Sequence, residues 1–161
     1  MTEKKIMEMI HARVDAQRKK MEECIRLGIC PLCWENLAKW HNAPILRYGD
    51  FWAITANDHP YEGTKIHLLA IYKHHINSID QVEVAAENEL FRLFSLFCKK
   101  NKIVGASILM RTGEMNYTGA TLAHLHAHFI SGVSREEVEK FSEIKYPNSF
   151  IISVLGYKIP K

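Results

Sequence analysis

Two stretches of the chain carry apolar residues at helical spacing, with charged residues between them. The first covers residues 3–27 and is followed by Gly28, a residue type that readily takes the left-handed conformation at a helix end. The second covers residues 80–101, where Asp80 and Glu83 have the spacing of a capping box. Both stretches are therefore predicted to be amphipathic helices. The second buries a stripe made of Ala86, Leu90, Leu93, Phe94 and Phe97.

Shorter apolar runs between these helices predict β-strands. Residues 45–48 and 51–55 flank a Gly-Asp turn and predict a hairpin, whereas 67–72 is continuously apolar, as in a strand covered on both faces. The remaining predicted elements are strands over 103–110, 121–131 and 150–155 and a short helix from Ser134 that ends before Pro147. This order favours an α+β class with a mainly antiparallel sheet, in a single domain spanning residues 1–161.

The composition is that of an ordinary globular protein, with 47% hydrophobic and 24% charged residues among 161. No apolar run approaches the roughly 18–20 residues that cross a bilayer, and residues 1–20 contain no apolar leader segment. A net charge of +3, from 21 basic and 18 acidic residues, is too balanced to indicate a nucleic-acid or membrane partner. We therefore expect a cytoplasmic protein whose partners are small molecules.

Three of the nine histidines alternate within the sequence His124-Leu-His126-Ala-His128. On a strand they share one face with rings roughly 6–7 Å apart, which leaves the outer two too far apart for one metal ion. A metal site that uses only His124 and His126 remains an alternative. Burying three titratable rings side by side costs desolvation and mutual repulsion, so the pattern favours a functional role over a purely structural one.

The motif Cys30-Pro-Leu-Cys33 has the spacing of a zinc knuckle, which needs two further ligands from elsewhere in the chain. A redox motif of the same spacing normally begins a helix directly after a strand, but here a predicted helix precedes it. Zinc is therefore the favoured interpretation and redox chemistry the alternative. Cys24 and Cys98 fall on predicted helix faces and are interpreted as buried apolar positions.

The histidine motif resembles the signature of the histidine-triad (HIT) superfamily, in which three histidines alternate with apolar residues. The segment from His67 to His75 is similar to the family's second block, with Tyr72 where a proline is usual, and Asn57 with Pro60 resembles the turn before it. These blocks and the Cys30 motif cover roughly residues 30–130. The resemblance implies a HIT-like fold, and it explains neither the N-terminal helix over 1–28, which would be an extra element, nor the helix and strand over 131–161.

The resemblance also implies roles for individual residues. His126, the middle histidine, would be the nucleophile, His128 would contact phosphates, and Thr121 would lie near the bridging oxygen. Asn57 would bind ribose hydroxyls or, alternatively, stabilise its own turn. Arg111 stands where many members have an asparagine, and it would bind phosphate or remain a solvated loop charge. Many members carry a phosphate-binding glutamine at the position of Ala120, so that amide is missing here.

For the metal, the galactose-1-phosphate uridylyltransferase and dinucleoside-polyphosphate phosphorylase-like branches supply the comparison. Carried over residue by residue, the zinc ligands would be Cys30, Cys33, His75 and His124, with His74 as an alternative to His75. Four protein ligands leave no open position, so the zinc would be structural.

The function implied is hydrolysis at the α-phosphate of a nucleoside phosphoramidate or dinucleoside polyphosphate, with a purine nucleotide as the expected substrate. A nucleotidyltransferase or phosphorylase, whose acceptor is phosphate or a sugar phosphate, is the alternative within the family. A zinc-stabilised nucleotide-binding module without turnover is the alternative outside enzymology. The resemblance further implies a homodimer.

Overall fold

The computed structural model describes residues 6–141 and residue 151, and its centre is a five-stranded antiparallel sheet. The strands are β1 (Ile45–Tyr48), β2 (Trp52–Ala56), β3 (Ile66–Tyr72), β4 (Ser107–Met110) and β5 (His126–Ser131), in the spatial order β1-β2-β3-β5-β4. The helices are α1 (Asp15–Leu27), α2 (Trp34–Trp40), α3 (Val84–Asn101), α4 (Met115–Thr118) and α5 (Arg135–Phe141). The predicted α+β class with a mainly antiparallel sheet is confirmed.

Helix α3 covers one face of the sheet and forms the main core with it. Four residues of the predicted stripe are buried and Phe97 is partly buried. The core positions opposite are Trp52, Ile54, Leu68, Ala70 and Tyr72, with Ala127 and Phe129 of β5 and Leu125 just before it. Strand β3 is buried along almost its whole length, as its continuous apolar run predicted. Alternate residues of β5 point away from this core, and this second face of the strand carries His126 and His128.

The hairpin between β1 and β2 is held by a buried carboxylate from α3. Glu89 accepts hydrogen bonds from the backbone N–H groups of Asp50 (2.6 Å), Phe51 (2.8 Å) and Trp52 (2.9 Å). A Cβ atom on Gly49 would lie only 2.5 Å from that carboxylate, so any larger residue there would displace the Glu89 side chain. The predicted hairpin is confirmed, and α3 fixes its position on the sheet.

The expected helix over residues 3–27 begins only at Asp15. Ahead of it, the side chain of Met7 is 1% exposed and its backbone pairs with Leu122, while the N–H of Glu8 donates to the carbonyl of Thr121 at 2.9 Å. Met9–His11 then form a short 3-10 turn in which Ile10 is exposed, so the segment packs through Met7 beside the approach to β5 and is not part of the α-helix. Residues 3–5 lie outside the described part of the chain, as do Pro147 and, apart from residue 151, the strand expected over 150–155.

The start of α3 differs from the expected capping box. Asp80 lies in a separate 3-10 turn, Ile79–Gln81, and Glu83 occupies the N-cap position without a side-chain capping hydrogen bond. The helix consequently begins at Val84. The strand expected over 103–110 is also shorter, since only β4 pairs with β5.

The strand expected over 121–131 starts at His126, so His124 precedes it and the prediction of one row of three histidines is wrong. Just before β5 the backbone forms hydrogen bonds with segments outside the sheet. The N–H of Leu125 donates to the carbonyl of Ile76 at 2.6 Å, and the N–H of Ala123 donates to the carbonyl of Ile6. Only His126 and His128 share the strand face, with ring centroids 5.0 Å apart.

In the described part of the chain, none of the helices is long and apolar enough to cross a membrane.

Candidate functional site

A cavity of about 350 Å³ opens on the face of the sheet opposite α3. Its wall combines the N-terminal segment, the end of α2, the turn after β2, the loop before β5 and the histidines of β5. Every residue predicted for catalysis or substrate binding lines it: Asn57, Arg111, Thr121, His126 and His128. The structure thus brings these five residues together, while their individual roles stay predictions.

The ring of His126 is oriented by the backbone two residues earlier. Its Nδ1 lies 2.6 Å from the carbonyl oxygen of His124. Because a carbonyl only accepts, Nδ1 carries the proton, and Nε2 keeps a lone pair. Burial lowers the pKa of His126, against the effect of the His124 carbonyl, so the ring is neutral at pH 7. A neutral imidazole with a free Nε2 lone pair is a competent nucleophile.

The tautomer of His128 follows from a chain of hydrogen bonds. The backbone N–H of Tyr61 donates to Nδ1 of His67 at 3.0 Å, so the proton of neutral His67 lies on Nε2. That nitrogen is 2.9 Å from Nδ1 of His128 and donates to it, which leaves the proton of His128 on Nε2. Burial, with Arg13 and His126 nearby, lowers the pKa of His67 to about 4. Burial and the same neighbours also lower the pKa of His128, which is therefore a neutral donor.

Arg111 lies beside this donor. Its Nε donates to the carbonyl of Thr118 at 3.0 Å and its Nη2 donates to the hydroxyl of Tyr61 at 3.3 Å. Its Nη1 is 3.4 Å from Nε2 of His128. Two N–H groups that converge in this way suit an oxygen atom with negative charge placed between them.

Asn57 and Thr121 line the same cavity at other points. The Asn57 side-chain oxygen accepts the backbone N–H of His59 at 2.9 Å, and its nitrogen is 3.0 Å from Nε2 of His67. Asn57 thus stabilises its own turn, which was the alternative to ribose binding, and also faces the cavity. The carbonyl of Thr121 accepts the N–H of Glu8 at 2.9 Å, which fixes the backbone of this residue at the cavity wall.

Next to the cavity, four side chains form a cluster whose potential ligand atoms all lie within 4.8 Å of one another: Cys30, Cys33, His75 and His124. The Sγ–Nδ1 distances are 3.4 Å for Cys30 with His124, 3.2 Å for Cys33 with His75 and 3.8 Å for Cys33 with His124. The two Nδ1 atoms are 3.3 Å apart. Tetrahedral zinc with these ligands has edges of about 3.3–3.8 Å, so the cluster has the dimensions of a zinc site.

Hydrogen bonds around the cluster prepare its atoms for a metal. Nε2 of His124 donates to the carbonyl of Tyr72 at 2.7 Å, which leaves the lone pair on Nδ1, inside the cluster. Burial, followed by the proximity of Cys33, raises the pKa of the Cys30 thiol to about 12. Thiolates in this position therefore need a cation beside them. These four residues can hold a metal ion, and His75 rather than His74 supplies the fourth atom.

Sequence reasoning missed three residues that shape the cavity: Arg13, Tyr61 and His67. Arg13 falls among the charged residues between the apolar positions of the first predicted helix, and nothing distinguishes it from them. The position of His67 in the second block was available, but the apolar run around it hides the alternation that would show which face it occupies. Tyr61 follows the turn at Pro60, and nothing in its sequence context indicates that His67 and His128 pack against its ring.

Comparisons with known proteins identify the family and the fold. The family described as the HIT domain matches residues 50–135, which is more than half of the chain. A hypothetical histidine triad nucleotide-binding protein from Sulfolobus tokodaii has a similar structure, with 20% identity, TM-score 0.51 and coverage of 82% of each chain. No significant match is found among curated protein sequences.

Two further structures resemble the chain at the level of the fold. A zinc-bound histidine triad family protein from Mycobacterium smegmatis is 14% identical, with TM-score 0.50 and coverage of 73% of this chain and 84% of that one. A histidine triad nucleotide-binding protein from Candida albicans is 15% identical, with TM-score 0.50 and coverage of 60% and 71%. At these identities the likeness establishes the fold alone.

Proposed function

This chain belongs to the HIT domain family, and we propose that it is a nucleotide hydrolase in which His126 attacks the α-phosphate of its substrate. The substrate would be a nucleoside phosphoramidate or a dinucleoside polyphosphate, with a purine as the expected base. The observation that carries the proposal is the hydrogen bond from Nδ1 of His126 to the carbonyl of His124, because it leaves Nε2 as the nucleophile. The names of the Sulfolobus and Candida proteins support a nucleotide as the ligand.

In the first step the Nε2 lone pair of His126 forms a bond to the α-phosphorus. The bond from phosphorus to the leaving group breaks, and its electron pair departs with the leaving group, which takes up a proton from solvent. The ring becomes positively charged as the N–P bond forms, and the carbonyl of His124 stabilises that charge through the proton on Nδ1. The product of this step is a nucleotidyl-imidazole.

In the second step water attacks the same phosphorus. The new P–O bond forms as the P–N bond breaks, the electron pair returns to Nε2 of His126, and the proton of the water passes to solvent. A nucleoside monophosphate is released. In both steps the Nε2–H of His128 and the Nη1 group of Arg111 bind phosphate oxygens, with Thr121 near the bridging oxygen and Asn57 at the ribose.

Zinc, when bound by Cys30, Cys33, His75 and His124, would supply a rigid tetrahedral anchor rather than a reactive centre. The residues themselves do the positioning. His124 has its ring in the cluster and its carbonyl on His126, so anchoring the ring also places the acceptor of the His126 proton.

A transferase or phosphorylase is the second candidate, and the basic side chains of the cavity favour it. Arg111 and the other cations there would bind an anionic acceptor, such as phosphate or a sugar phosphate, as readily as the leaving group. The chemistry of His126 is the same in both candidates, and only the second acceptor differs. Cytoplasmic location and a homodimer stay predictions.

The test is incubation of the purified protein with adenosine 5′-phosphoramidate and diadenosine tetraphosphate, with and without inorganic phosphate. A hydrolase yields the nucleoside monophosphate in both conditions, whereas a phosphorylase yields a diphosphate only when phosphate is present. The controls are His126→Ala, which should be inactive, and His74→Ala, a histidine outside the cavity lining, which should be active. Nucleotide binding without turnover would contradict the proposal and favour a binding module.

A further inference from the structure

The cavity is completed by a segment that lies outside the family match. Residues 6–13, here called the N-terminal strap, run beside the loop that leads into β5. Backbone contacts hold the strap in place: Met7 is buried and pairs with Leu122, and the N–H of Glu8 donates to the carbonyl of Thr121. Residues beyond Met7 therefore reach the cavity from a defined position.

The last turn of the strap continues this attachment. Nδ1 of His11 donates to the carbonyl of Ala120 at 2.7 Å, and both residues line the cavity. Arg13 follows two residues later and also lines it. The strap thus places Arg13 beside the cavity, where the residue lines the wall while much of it stays exposed to solvent.

The guanidinium of Arg13 is held against the site by two contacts. Its Nη2 donates to the carbonyl of His59 at 2.6 Å, and its Cζ lies 4.4 Å from the centroid of the Tyr61 ring. Arg111 donates to the hydroxyl of the same tyrosine. The ring of His128 is stacked on Tyr61 at 5.8 Å between centroids. Tyr61 is therefore the spacer that separates two guanidinium groups, one at its hydroxyl end and one over its ring.

The residues that line the cavity carry an excess of positive charge. Among the described residues that line it, the cations are Arg13, Lys20 and Arg111, and the single carboxylate is that of Asp58. That carboxylate lies 3.1 Å from Lys20 and accepts the N–H groups of Asn42 and Ala43, so it is committed elsewhere in the wall. Bringing two guanidinium groups to one tyrosine costs electrostatic repulsion, which an anionic ligand between them relieves.

We propose that Arg13 is a specificity-determining residue that binds the phosphates of the leaving group. The inference rests on the proposed function and chooses between its two substrate classes. The preferred substrates are those that release an oligophosphate, not those that release an amine. The N–H groups of Arg111 and His128 converge on a position that suits one phosphate. The guanidinium of Arg13, over the Tyr61 ring, would then bind a second phosphate. A nucleoside phosphoramidate has no such group, because cleavage of its P–N bond releases only an amine.

The experiment compares kcat/KM for diadenosine tetraphosphate and adenosine 5′-phosphoramidate in three variants of the full chain. Arg13→Gln should lose about tenfold to a hundredfold on the tetraphosphate and at most about threefold on the phosphoramidate, since one charge-assisted contact is removed. Arg13→Lys should restore part of the loss. Arg18→Gln is the matched control, because Arg18 is exposed on α1 and does not line the cavity.

Two results would overturn the inference while the proposed function stands. One is an equal change, or no change, on both substrates in Arg13→Gln. The other is a wild-type protein that cleaves the phosphoramidate faster. If the wild type cleaves neither substrate, or if the His126→Ala variant cleaves them as well, it is the proposed function that is contradicted. A melting temperature of Arg13→Gln equal to that of the wild type excludes a folding defect.

Discussion

The ring nitrogen Nδ1 of His126 donates to the backbone carbonyl of His124 at 2.6 Å, and the ring of His124 belongs to the cysteine–histidine cluster. His126, the candidate nucleophile, and His124, the candidate metal ligand, are thus two residues apart in the chain and joined by one hydrogen bond. His124 donates to the carbonyl of Tyr72 at the end of β3, which ties the same unit to the sheet. Loss of the cluster would therefore disturb both the fold and the orientation of His126.

The first prediction concerns metal content. The purified protein should hold about one zinc ion per chain, and Cys33→Ser should lose it and melt on the order of 10 °C lower, because metal binding and folding are coupled in such sites. Elemental analysis and thermal denaturation measure the two effects. Cys98→Ser, on a helix away from the cluster, is the control and should retain its zinc. Less than about a tenth of an equivalent in metal-replete wild-type protein would contradict the prediction.

The second prediction separates phosphate binding from the covalent step. His128→Ala and Thr121→Ala should lower kcat/KM by about tenfold to a thousandfold, since each removes a contact to the substrate but leaves the nucleophile in place. Rapid-quench kinetics should still detect the covalent intermediate in both variants. Its complete absence in either would show that these residues act in the attack itself.

The third prediction concerns the turn between β1 and β2. Gly49→Ala should lower the free energy of unfolding by about 1–3 kcal/mol, because the new methyl group meets the Glu89 carboxylate and weakens its bonds to the turn. Urea denaturation measures the loss. Gly105→Ala provides the comparison, since a Cβ there has no neighbour within 4 Å. Equal stability of the two variants would show that α3 adapts to the extra volume.

The fourth prediction is a pH dependence of stability through His67. Burial lowers its pKa to about 4 in the folded protein, below the ordinary value of 6.5, so the unfolded chain binds more protons between these limits. Stability from this group is fully present above about pH 6.5 and is lost as the pH falls toward 4.

Melting temperatures of wild type and His67→Gln over pH 4–8 measure the effect. The variant should show a shallower loss on acidification, although other histidines of lowered pKa keep part of the slope. His74→Gln, at an exposed position, should follow the wild type. Parallel curves for wild type and His67→Gln would refute the prediction.

The predictions from sequence were most accurate where a residue pattern carries its own chemistry. The spacing of Cys30 and Cys33, together with the resemblance that supplied His75 and His124, named the four members of the cluster before any coordinates. The sheet core was predictable for a related reason, since the stripe of α3 is periodic and the apolar run of β3 is continuous. In both cases local spacing already contains the information.

The errors arose where long-range pairing decides local conformation. Nothing near His124 shows that β5 begins two residues later, because that start is set by backbone bonds to Ile6 and Ile76. The strap was predicted as α-helix because Ile6 and Ile10 fit a helical stripe, but Met7 pairs with Leu122 and only Met9–His11 form a short 3-10 turn. The contacts of Arg13 follow from the same tertiary pairing and could not be read from its charge alone.

The most direct test of the proposed chemistry is capture of the intermediate. Wild-type protein is mixed with diadenosine tetraphosphate, quenched at alkaline pH within the first turnover and digested for peptide mass spectrometry. A nucleoside monophosphoryl group should be found on the peptide that contains His126, with the site localised to that histidine, and it should be absent from His126→Ala. Turnover without any adduct, or an adduct on another residue that persists in His126→Ala, would contradict nucleophilic catalysis by His126.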